Sequence, residues 1–262
     1  MDSQDRGKLN RLLKNWPRGT VAVQAWLESQ GIYRQLADVY TKSTWLTRIG
    51  RGAYIRSGET VDWSGGLYAI QEQLHLAVHV GAKTALQMHG ISHYLPLGGQ
   101  DPLYLSGILG TRLPTWFTNY DWSRKIHYTT SGLFQEHTLG LAAKDLGEYA
   151  LTVAAAERAI MEVLHFVPGK ESLQEADHLM AGLTTLRPSL VQALLESCNS
   201  IKVKRLFMYL AEKNDHKWVE KLDLTKVAFG TGKRVIIRGG RLDPRYQITV
   251  LHDDDEQRIP EL

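Results

Sequence analysis

Apolar side chains in residues 1–56 recur three or four positions apart, which is the spacing of short amphipathic helices. The pattern predicts three helices in succession, over residues 6–16, 23–30 and 32–43. Proline and glycine follow the first helix and Gly31 follows the second, and both residue types commonly end helices. We expect the inward side of the third helix to comprise Ile32, Leu36, Val39 and Tyr40.

Two short strands are predicted directly after the third helix, over residues 45–49 and 53–56. Gly50 and Gly52 between them supply the positive φ that a tight hairpin needs. A helix, a glycine-containing turn, a second helix and then a β-hairpin form a winged helix-turn-helix. We therefore predict an N-terminal domain over residues 1–92, with a winged core over residues 1–57 and a helical extension beyond it.

The remainder of the chain mixes strand and helix patterns, so the predicted fold class is α+β, with a mixed α/β domain over residues 93–250. Strands are indicated by the segments DPLYLSG, KIHYTT and EYALTVA, and helices predominate from Ala154 onward. The segments KRVIIRGG and YQITV predict a closing hairpin, and residues 251–262 form an acidic tail. The outward side of the amphipathic segment over residues 201–215 is expected to carry Lys202, Lys204, Arg205 and Lys213.

Charge is segregated along the chain, although the net charge is only +3. Residues 1–56 carry ten basic and four acidic side chains, and residues 201–238 again carry ten and four. Residues 57–200 between them carry eight basic and fourteen acidic side chains. Two basic zones separated by an acidic one indicate two distinct surfaces, at least one of which faces a polyanion.

These charges favour double-stranded DNA as a partner of the winged domain. The start of the third helix places Arg34 and Gln35 where they meet base edges in a major groove. Arginines of the hairpin lie along the phosphate backbone or enter the minor groove. The predicted DNA-binding residues are Tyr33, Arg34, Gln35, Asp38, Lys42, Arg48, Arg51 and Arg56.

Composition and motifs indicate a protein without catalytic residues, metal or cofactor. Apolar residues make up 43% of the chain, its single cysteine is Cys198, and no run reaches membrane-spanning length, so we expect a soluble cytoplasmic protein. His75, His79, His89 and His93 include pairs four apart, but no cysteine or carboxylate sits at ligand spacing. The segment GTGKR lacks the first glycine and the hydroxyl residue of a phosphate-binding loop.

The segment GTVAVQAWLESQGIYRQLADVYTKSTWLTRIGRGAYIR resembles the N-terminal winged helix of the AbiEi family, antitoxins of bacterial type IV (abortive-infection) toxin–antitoxin pairs. The similarity continues through DWSGGLYAIQEQLHLAVHVGAKTALQMHG, LPTWF, ERAIMEVL, LMAGLTTLRPSLVQALLESC, KVKRLFMYLAE and GKRVIIRGGRLDPRYQITV, and so spans roughly residues 6–250. One departure is Thr44, where the family pattern has glycine before the tryptophan.

The resemblance implies two tasks. The winged helix represses its own operon by binding inverted repeats in the promoter. The C-terminal domain neutralises a nucleotidyltransferase-like toxin, directly or through its RNA target. The surface for this second task is expected to comprise Lys202, Lys204, Arg205, Lys233, Arg234 and Arg238, residues that alternatively extend the DNA footprint.

Two alternatives stay open on the sequence alone. One is a nuclease delivered to DNA by the winged helix, for which Asp101, Asp121 and Glu136 would have to supply the metal ligands. The other is a winged-helix adaptor that binds only protein. Cleavage of DNA with magnesium or manganese distinguishes the first, and a DNA mobility shift at physiological salt distinguishes the second.

Overall fold

A computed structural model gives the fold and describes residues 3–91 and 101–250, with side chains from residue 7 onward. The predicted acidic tail over residues 251–262, His93 and the glycines at 98 and 99 lie outside the described residues. The chain forms two compact units that interleave in sequence. Of the described residues, unit 1 contains 3–80, 101–131 and 142–153, and unit 2 contains 81–91, 132–141 and 154–250.

Unit 1 begins with the winged helix, and its elements follow the predicted order closely. Its helices and strands are α1 (Ser3–Asn15), β1 (Ala22–Val23), α2 (Gln24–Ser29), α3 (Arg34–Lys42), β2 (Leu46–Gly50) and β3 (Ala53–Arg56). The three strands form an antiparallel sheet in the order β1-β3-β2. The helices close over one apolar core, whose members include Leu9, Leu12, Trp16, Leu27, Ile32, Ala37, Tyr40 and Tyr54.

The rest of unit 1 is a five-stranded sheet with short helices. Its elements are α4 (Trp63–Tyr68), continued by a π-helical turn (Ala69–Gln73), then β4 (Val78–Val80), β5 (Leu103–Gly107), α6 (Thr115–Asn119), β6 (Ile126–Thr130), β7 (Leu141–Asp145) and β8 (Ala150–Ala154). Strand order is β6-β5-β4-β8-β7, with β5 antiparallel to β4 and parallel to β6. The three strands predicted in this region are confirmed, whereas α6 and β7 were missed because one is a single turn and the other is an exposed edge of alanine and charge.

Two glutamines of the π-helical turn tie the winged helix to this sheet. The amide of Gln73 accepts from the backbone N–H of Val23 at 2.9 Å and donates to the carbonyl of Val21 at 2.9 Å. The amide of Gln71 donates to the carbonyls of Val78 in β4 and Thr152 in β8, and it accepts from the backbone N–H of Thr152. Buried backbone groups require hydrogen-bond partners, and these two side chains supply partners for backbone groups of the winged helix and of the sheet. The π-helical turn therefore connects the winged helix to the rest of unit 1.

Unit 2 is mainly helical. Its elements are α5 (Ala82–Met88), α7 (Ala156–Phe166), α8 (Leu173–Ala181), α9 (Pro188–Ser197), α10 (Ile201–Lys213), two 3-10 turns (Lys217–Lys221 and Leu224–Lys226), β9 (Arg234–Val235), β10 (Arg241–Asp243) and β11 (Ile248–Val250). Every residue of α7 from Glu157 to Leu164 is buried. Arg187 donates three hydrogen bonds to the carboxylate of Glu157, two from its guanidinium and one from its backbone N–H. Burial alone would raise the pKa of Glu157, but these bonds hold it below its usual value.

The two segments predicted to form a closing hairpin do pair, but not as an antiparallel hairpin. Strand β9 runs parallel to β11, with Arg234 opposite Ile248, and the antiparallel partner of β11 is β10. The order β10-β11-β9 follows from the turn between β10 and β11, where the N–H of Tyr246 donates to the carboxylate of Asp243 at 2.6 Å. The sequence pattern missed β10 because its Arg-Leu-Asp stretch is short and charged.

Candidate nucleic-acid interface

Helix α3 presents a polar face to solvent because its apolar residues point the other way. Helix α2 ends at Ser29, the φ of +79° at Gly31 permits the turn that follows, and α3 begins after the extended Tyr33. Ala37 and Tyr40 are fully buried against the winged-helix core. The exposed residues at the start and along the outer face of α3 are Tyr33, Arg34, Gln35, Asp38, Val39 and Lys42.

The exposure of Val39 corrects the prediction that it faces the core. It is 42% exposed, and the buried position is taken by Ala37. On a helix of 3.6 residues per turn, Val39 lies beside Gln35 rather than beside Tyr40. An exposed apolar residue among polar ones suits contact with a thymine methyl group. Sequence periodicity missed it because a valine is expected to be buried.

The hairpin β2–β3 places Arg51 at its tip, exposed to solvent. Gly52 has a φ of +72°, so this half of the predicted turn chemistry is confirmed. At Gly50 the constraint is steric, since an added Cβ would lie 2.6 Å from the Cβ of Trp116 in α6. Helix α6 therefore packs against the wing at Gly50, while Arg51 at the tip of the wing is exposed to solvent.

Arg48 joins the wing to α3. Its guanidinium donates to the hydroxyl of Tyr54 at 3.0 Å and lies 3.5 Å from the carboxylate of Asp38, while the side chain remains 52% exposed. The hydrogen bond with Tyr54 raises the pKa of Arg48. Arg48 thus connects the wing to α3, and about half of its side chain stays exposed to solvent.

Arg56 is not available as a DNA contact, which corrects its assignment to the interface. Its guanidinium donates to the carbonyls of Leu13 and Trp16 at the end of α1 and forms an ion pair with Glu59 at 3.4 Å. Only 12% of the side chain is exposed. An arginine near a helix C-terminus satisfies carbonyls that lack helical partners. Arg56 therefore links β3 to the C-terminal end of α1 within the winged helix.

The prediction that the cations of α10 lie on an exposed basic surface is also wrong for Lys204 and Arg205. Lys204 is 5% exposed and Arg205 is 3% exposed, because α10 is buried on nearly all sides. Arg205 donates to the carbonyls of Phe229, Gly230 and Gly232 at 2.8, 3.0 and 2.6 Å, and more weakly to that of Gln247 at 3.3 Å. Two carbonyls at the end of α7 accept from Lys202, at 2.8 and 2.5 Å.

The remaining predicted residues of that surface are exposed on the small sheet of unit 2. We call the exposed cations of this sheet and of the segment between β9 and β10 the C-terminal basic surface, and they are Lys233, Arg234, Arg238 and Arg241. Val235 of β9 and Leu242 of β10 both pair with Thr249 of β11, so the three side chains form one row across the sheet. Val235 is 66% exposed and Leu242 is 38% exposed. Arg241 and this apolar row were not predicted from sequence.

Other chemical groups considered in the sequence have ordinary environments. The thiol of Cys198 is buried, and burial raises its pKa. The ring of His89 lies 2.9 Å from the carbonyl of Ala154. Asp121 accepts a hydrogen bond from the N–H of Ser123, and Glu136 is exposed. Within residues 3–91 and 101–250, no group of three or more histidine, cysteine or acidic side chains is arranged to hold a metal ion.

No helix in the described part of the chain is long and apolar enough to span a bilayer.

Comparison with known proteins gives two family matches that together extend over residues 5–251. Residues 5–97 match a model described as the N-terminal domain of the AbiEi antitoxin transcriptional regulator. Residues 100–251 match one described as the AbiEi antitoxin transcriptional regulator of a type IV toxin–antitoxin system. A search of curated proteins returned no match.

Among solved structures, the chain is similar to the crystal structure of the RV2827C protein from Mycobacterium tuberculosis. The TM-score is 0.58 at 15% sequence identity, and the alignment covers 95% of this chain and 92% of the other. At this identity the similarity concerns the fold alone. The alignment includes residues of both compact units.

Proposed function

Because the chain belongs to the AbiEi family of antitoxin transcriptional regulators of type IV toxin–antitoxin systems, we propose that it represses its own operon through α3 and the wing. The proposal depends mainly on one observation, which is that the outer face of α3 and the tip of the wing are exposed together. Four cations and one carboxylate lie on this surface, namely Arg34, Lys42, Arg48, Arg51 and Asp38.

The two elements have different tasks in the proposed complex. Helix α3 enters the major groove, where Arg34 and Gln35 meet base edges and Val39 meets a thymine methyl group. Arg48 and Arg51 of the wing contact phosphates or the adjacent minor groove. These contacts supply most of the affinity, because neutralising phosphates releases counterions. Inverted repeats in the promoter then accommodate two copies of the chain, one on each half-site.

We further propose that the C-terminal basic surface serves neutralisation of a nucleotidyltransferase-like toxin. The toxin class follows from the family resemblance, and the choice of surface is supported by the row of Val235, Thr249 and Leu242, in which Val235 and Leu242 are exposed on the same small sheet that carries these cations. Exposed apolar side chains and arginines in one small region are typical of protein interfaces. The buried Lys204 and Arg205 are excluded from this surface, and Arg241 is added to it.

Promoter binding is tested with the double variant Arg34→Ala plus Arg51→Ala. We expect binding to a fragment of the chain's own promoter to weaken by about a hundredfold, since each lost contact contributes about 1–3 kcal/mol. The slope of log affinity against log salt should fall by about one unit for each phosphate contact removed. Unchanged affinity and an unchanged slope would contradict the proposal.

A matched control for this experiment is Lys217→Ala plus Lys221→Ala. It removes the same charge from exposed positions outside the winged helix. If both double variants weaken promoter binding equally, overall charge rather than the α3–wing surface determines affinity.

Neutralisation is tested by co-expressing the chain with its neighbouring toxin gene and scoring growth. The variants are Val235→Asp and, separately, Lys233→Ala plus Arg234→Ala. We expect both to lose rescue while retaining promoter binding. Full rescue by both variants would remove the C-terminal basic surface from the proposal and leave the DNA-binding part untouched.

A further inference from the structure

A cleft in unit 1 lies outside the α3–wing surface and has no role in the function proposed above. It has a volume of about 670 Å³ and is bounded by the segment after α6 and by strand β6 at the edge of the five-stranded sheet. Cavities of this size commonly hold small molecules. The lining side chains that determine its chemistry are Arg112, Tyr120, Trp122, Arg124, Lys125 and Tyr128.

The aromatic side chains of the cleft are held in place by their neighbours. The ring centroids of Tyr120 and Trp122 are 4.5 Å apart, and the indole N–H of Trp122 donates to the carbonyl of Phe117 at 2.7 Å. The hydroxyl of Tyr128 donates to the carbonyl of Thr111 at 3.0 Å. Trp122 is only 6% exposed and supports the half-buried ring of Tyr120, so Tyr120 loses little conformational entropy when a flat ligand stacks on it.

The cleft is also cationic. Arg112 and Lys125 are exposed, and neither forms an ion pair with any other described residue. Arg124 is held in the wall, where its Nε donates to the carbonyl of Asp101 at 2.7 Å. The acid in the lining is Asp121, whose carboxylate already accepts from a backbone N–H. The charge of Arg124 is partly balanced by Asp101 and Asp62, but the exposed Arg112 and Lys125 still outweigh Asp121 in the lining and favour an anionic ligand.

We propose that this cleft binds a nucleoside phosphate, with the base stacked on the aromatic wall and the phosphate between Arg112 and Lys125. An acidic peptide would satisfy the cations but would leave the fixed rings without a planar partner. Base stacking on aromatic side chains tolerates every base, so the cleft selects the class of ligand rather than one base. The ligand is either a free nucleotide or one nucleotide of a single strand.

The full-length chain is titrated with AMP, with a short single-stranded oligodeoxyadenylate, with adenosine and with inorganic phosphate, and heat of binding is measured. We expect AMP and the oligonucleotide to bind, and adenosine and phosphate each to bind at least about tenfold more weakly, because each lacks one half of the recognition. Tighter binding of the oligonucleotide identifies a single strand as the source, and tighter binding of AMP identifies a free nucleotide.

Variants locate the site. Arg112→Ala plus Lys125→Ala should weaken nucleotide binding by at least about tenfold through lost charge, and Tyr120→Leu by about tenfold through lost stacking. The control Lys217→Ala plus Lys221→Ala should leave nucleotide binding unchanged. Circular dichroism and thermal unfolding verify that each variant is folded before binding is compared.

Three outcomes would overturn the inference: no binding of any nucleotide at millimolar concentration, binding of phosphate as tight as that of AMP, or full binding in both cleft variants. The result is separable from promoter recognition, since Arg34→Ala plus Arg51→Ala should bind AMP normally. Loss of duplex binding in that variant together with normal AMP binding supports two independent sites.

Discussion

Helices α3 and α10 have similar sequence patterns, but the structure places them in opposite environments. Each alternates apolar residues with arginine and lysine, and each was predicted to expose its cations. In α3 the cations are exposed beside the wing, whereas in α10 Lys204 and Arg205 are buried. Amphipathic periodicity identifies a helix reliably, but it does not distinguish a cation facing solvent from one that binds backbone carbonyls inside the protein.

The physical difference lies in what surrounds each helix. Helix α3 is covered on one side by the small winged-helix core, so its other side must face water. Helix α10 packs among α7, α8 and β11 in unit 2. A guanidinium is tolerated there because the loop around Gly230 and Gly232 turns its carbonyls toward it. The cost of burying the charge is offset by hydrogen bonds that also fix this loop.

The largest effect is expected from Arg205→Ala. Removing the guanidinium leaves carbonyls of residues 229–232 without donors, so we expect the free energy of unfolding to fall by about 3 kcal/mol or more. Arg34→Ala is the matched substitution in α3 and should change stability by less than about 0.5 kcal/mol. Urea unfolding of both variants provides the measurement. Equal stability of the two variants would mean that Arg205 does not support the loop.

The same contrast exists within the wing, between Arg56 and Arg51. Arg56→Ala should lower the free energy of unfolding by about 2 kcal/mol, since the carbonyls of Leu13 and Trp16 lose their donor. It should leave the salt dependence of promoter binding unchanged. Arg51→Ala should do the reverse, with stability unchanged and a salt slope lower by about one unit.

A reduced salt slope in Arg56→Ala would show that Arg56 leaves α1 and reaches the duplex in the complex. Arg56→Lys provides a further control, because it keeps the charge but presents one nitrogen where arginine presents three. We expect it to recover part of the lost stability and to bind DNA as the native chain does.

Prediction from sequence succeeded where local chemistry determines the structure. The winged helix follows from helical periodicity, Gly31 and Gly52, all of which act within a few residues. Prediction failed where distant segments determine the outcome. Nothing near Arg56 or Arg205 indicates that carbonyls 24 to 43 residues away along the chain will become their partners.

Most residues predicted for the DNA interface are exposed, but Arg56 is mostly buried. The exposure of Arg34, Gln35 and Arg51 follows from local pattern, and their contact with DNA stays a prediction. Val39 was missed because hydrophobicity alone was used to assign it to the core. Arg241 was missed because β10 forms only through its pairing with β11.

The two glycines of the wing are expected to respond differently to alanine. Gly50→Ala brings a methyl group within 2.6 Å of the Cβ of Trp116, and overpacking of this kind should cost about 1.5 kcal/mol. Gly52→Ala meets only the side chain of Gln24 at 3.5 Å, so its cost of about 1 kcal/mol arises from positive φ. Thermal unfolding measures both. Trp116→Gly, which removes the Cβ that the added methyl group meets, should relieve Gly50→Ala and not Gly52→Ala, and equal relief would contradict this distinction.

The smallest effect is expected at Thr44, which separates α3 from β2. Its φ is +57°, a conformation that costs a β-branched residue about 1–2 kcal/mol. Thr44→Gly removes that cost, but glycine loses more backbone entropy on folding, by roughly 0.5–1 kcal/mol. The exposed hydrogen bond from the Thr44 hydroxyl to the carbonyl of Ser43 is also lost. We therefore expect a net gain of about 0.5 kcal/mol.

The neighbouring substitution Ser43→Gly separates strain at Thr44 from a general effect of glycine in this turn. Ser43 has a φ of −88°, where glycine relieves nothing and adds only its entropy cost. Thr44→Gly should raise the melting temperature by about 1–2 °C, and Ser43→Gly should lower it by a similar amount. If both variants melt lower than the native chain, the left-handed conformation of Thr44 is not strained. The glycine that the family pattern places at this position would then need a reason other than backbone conformation.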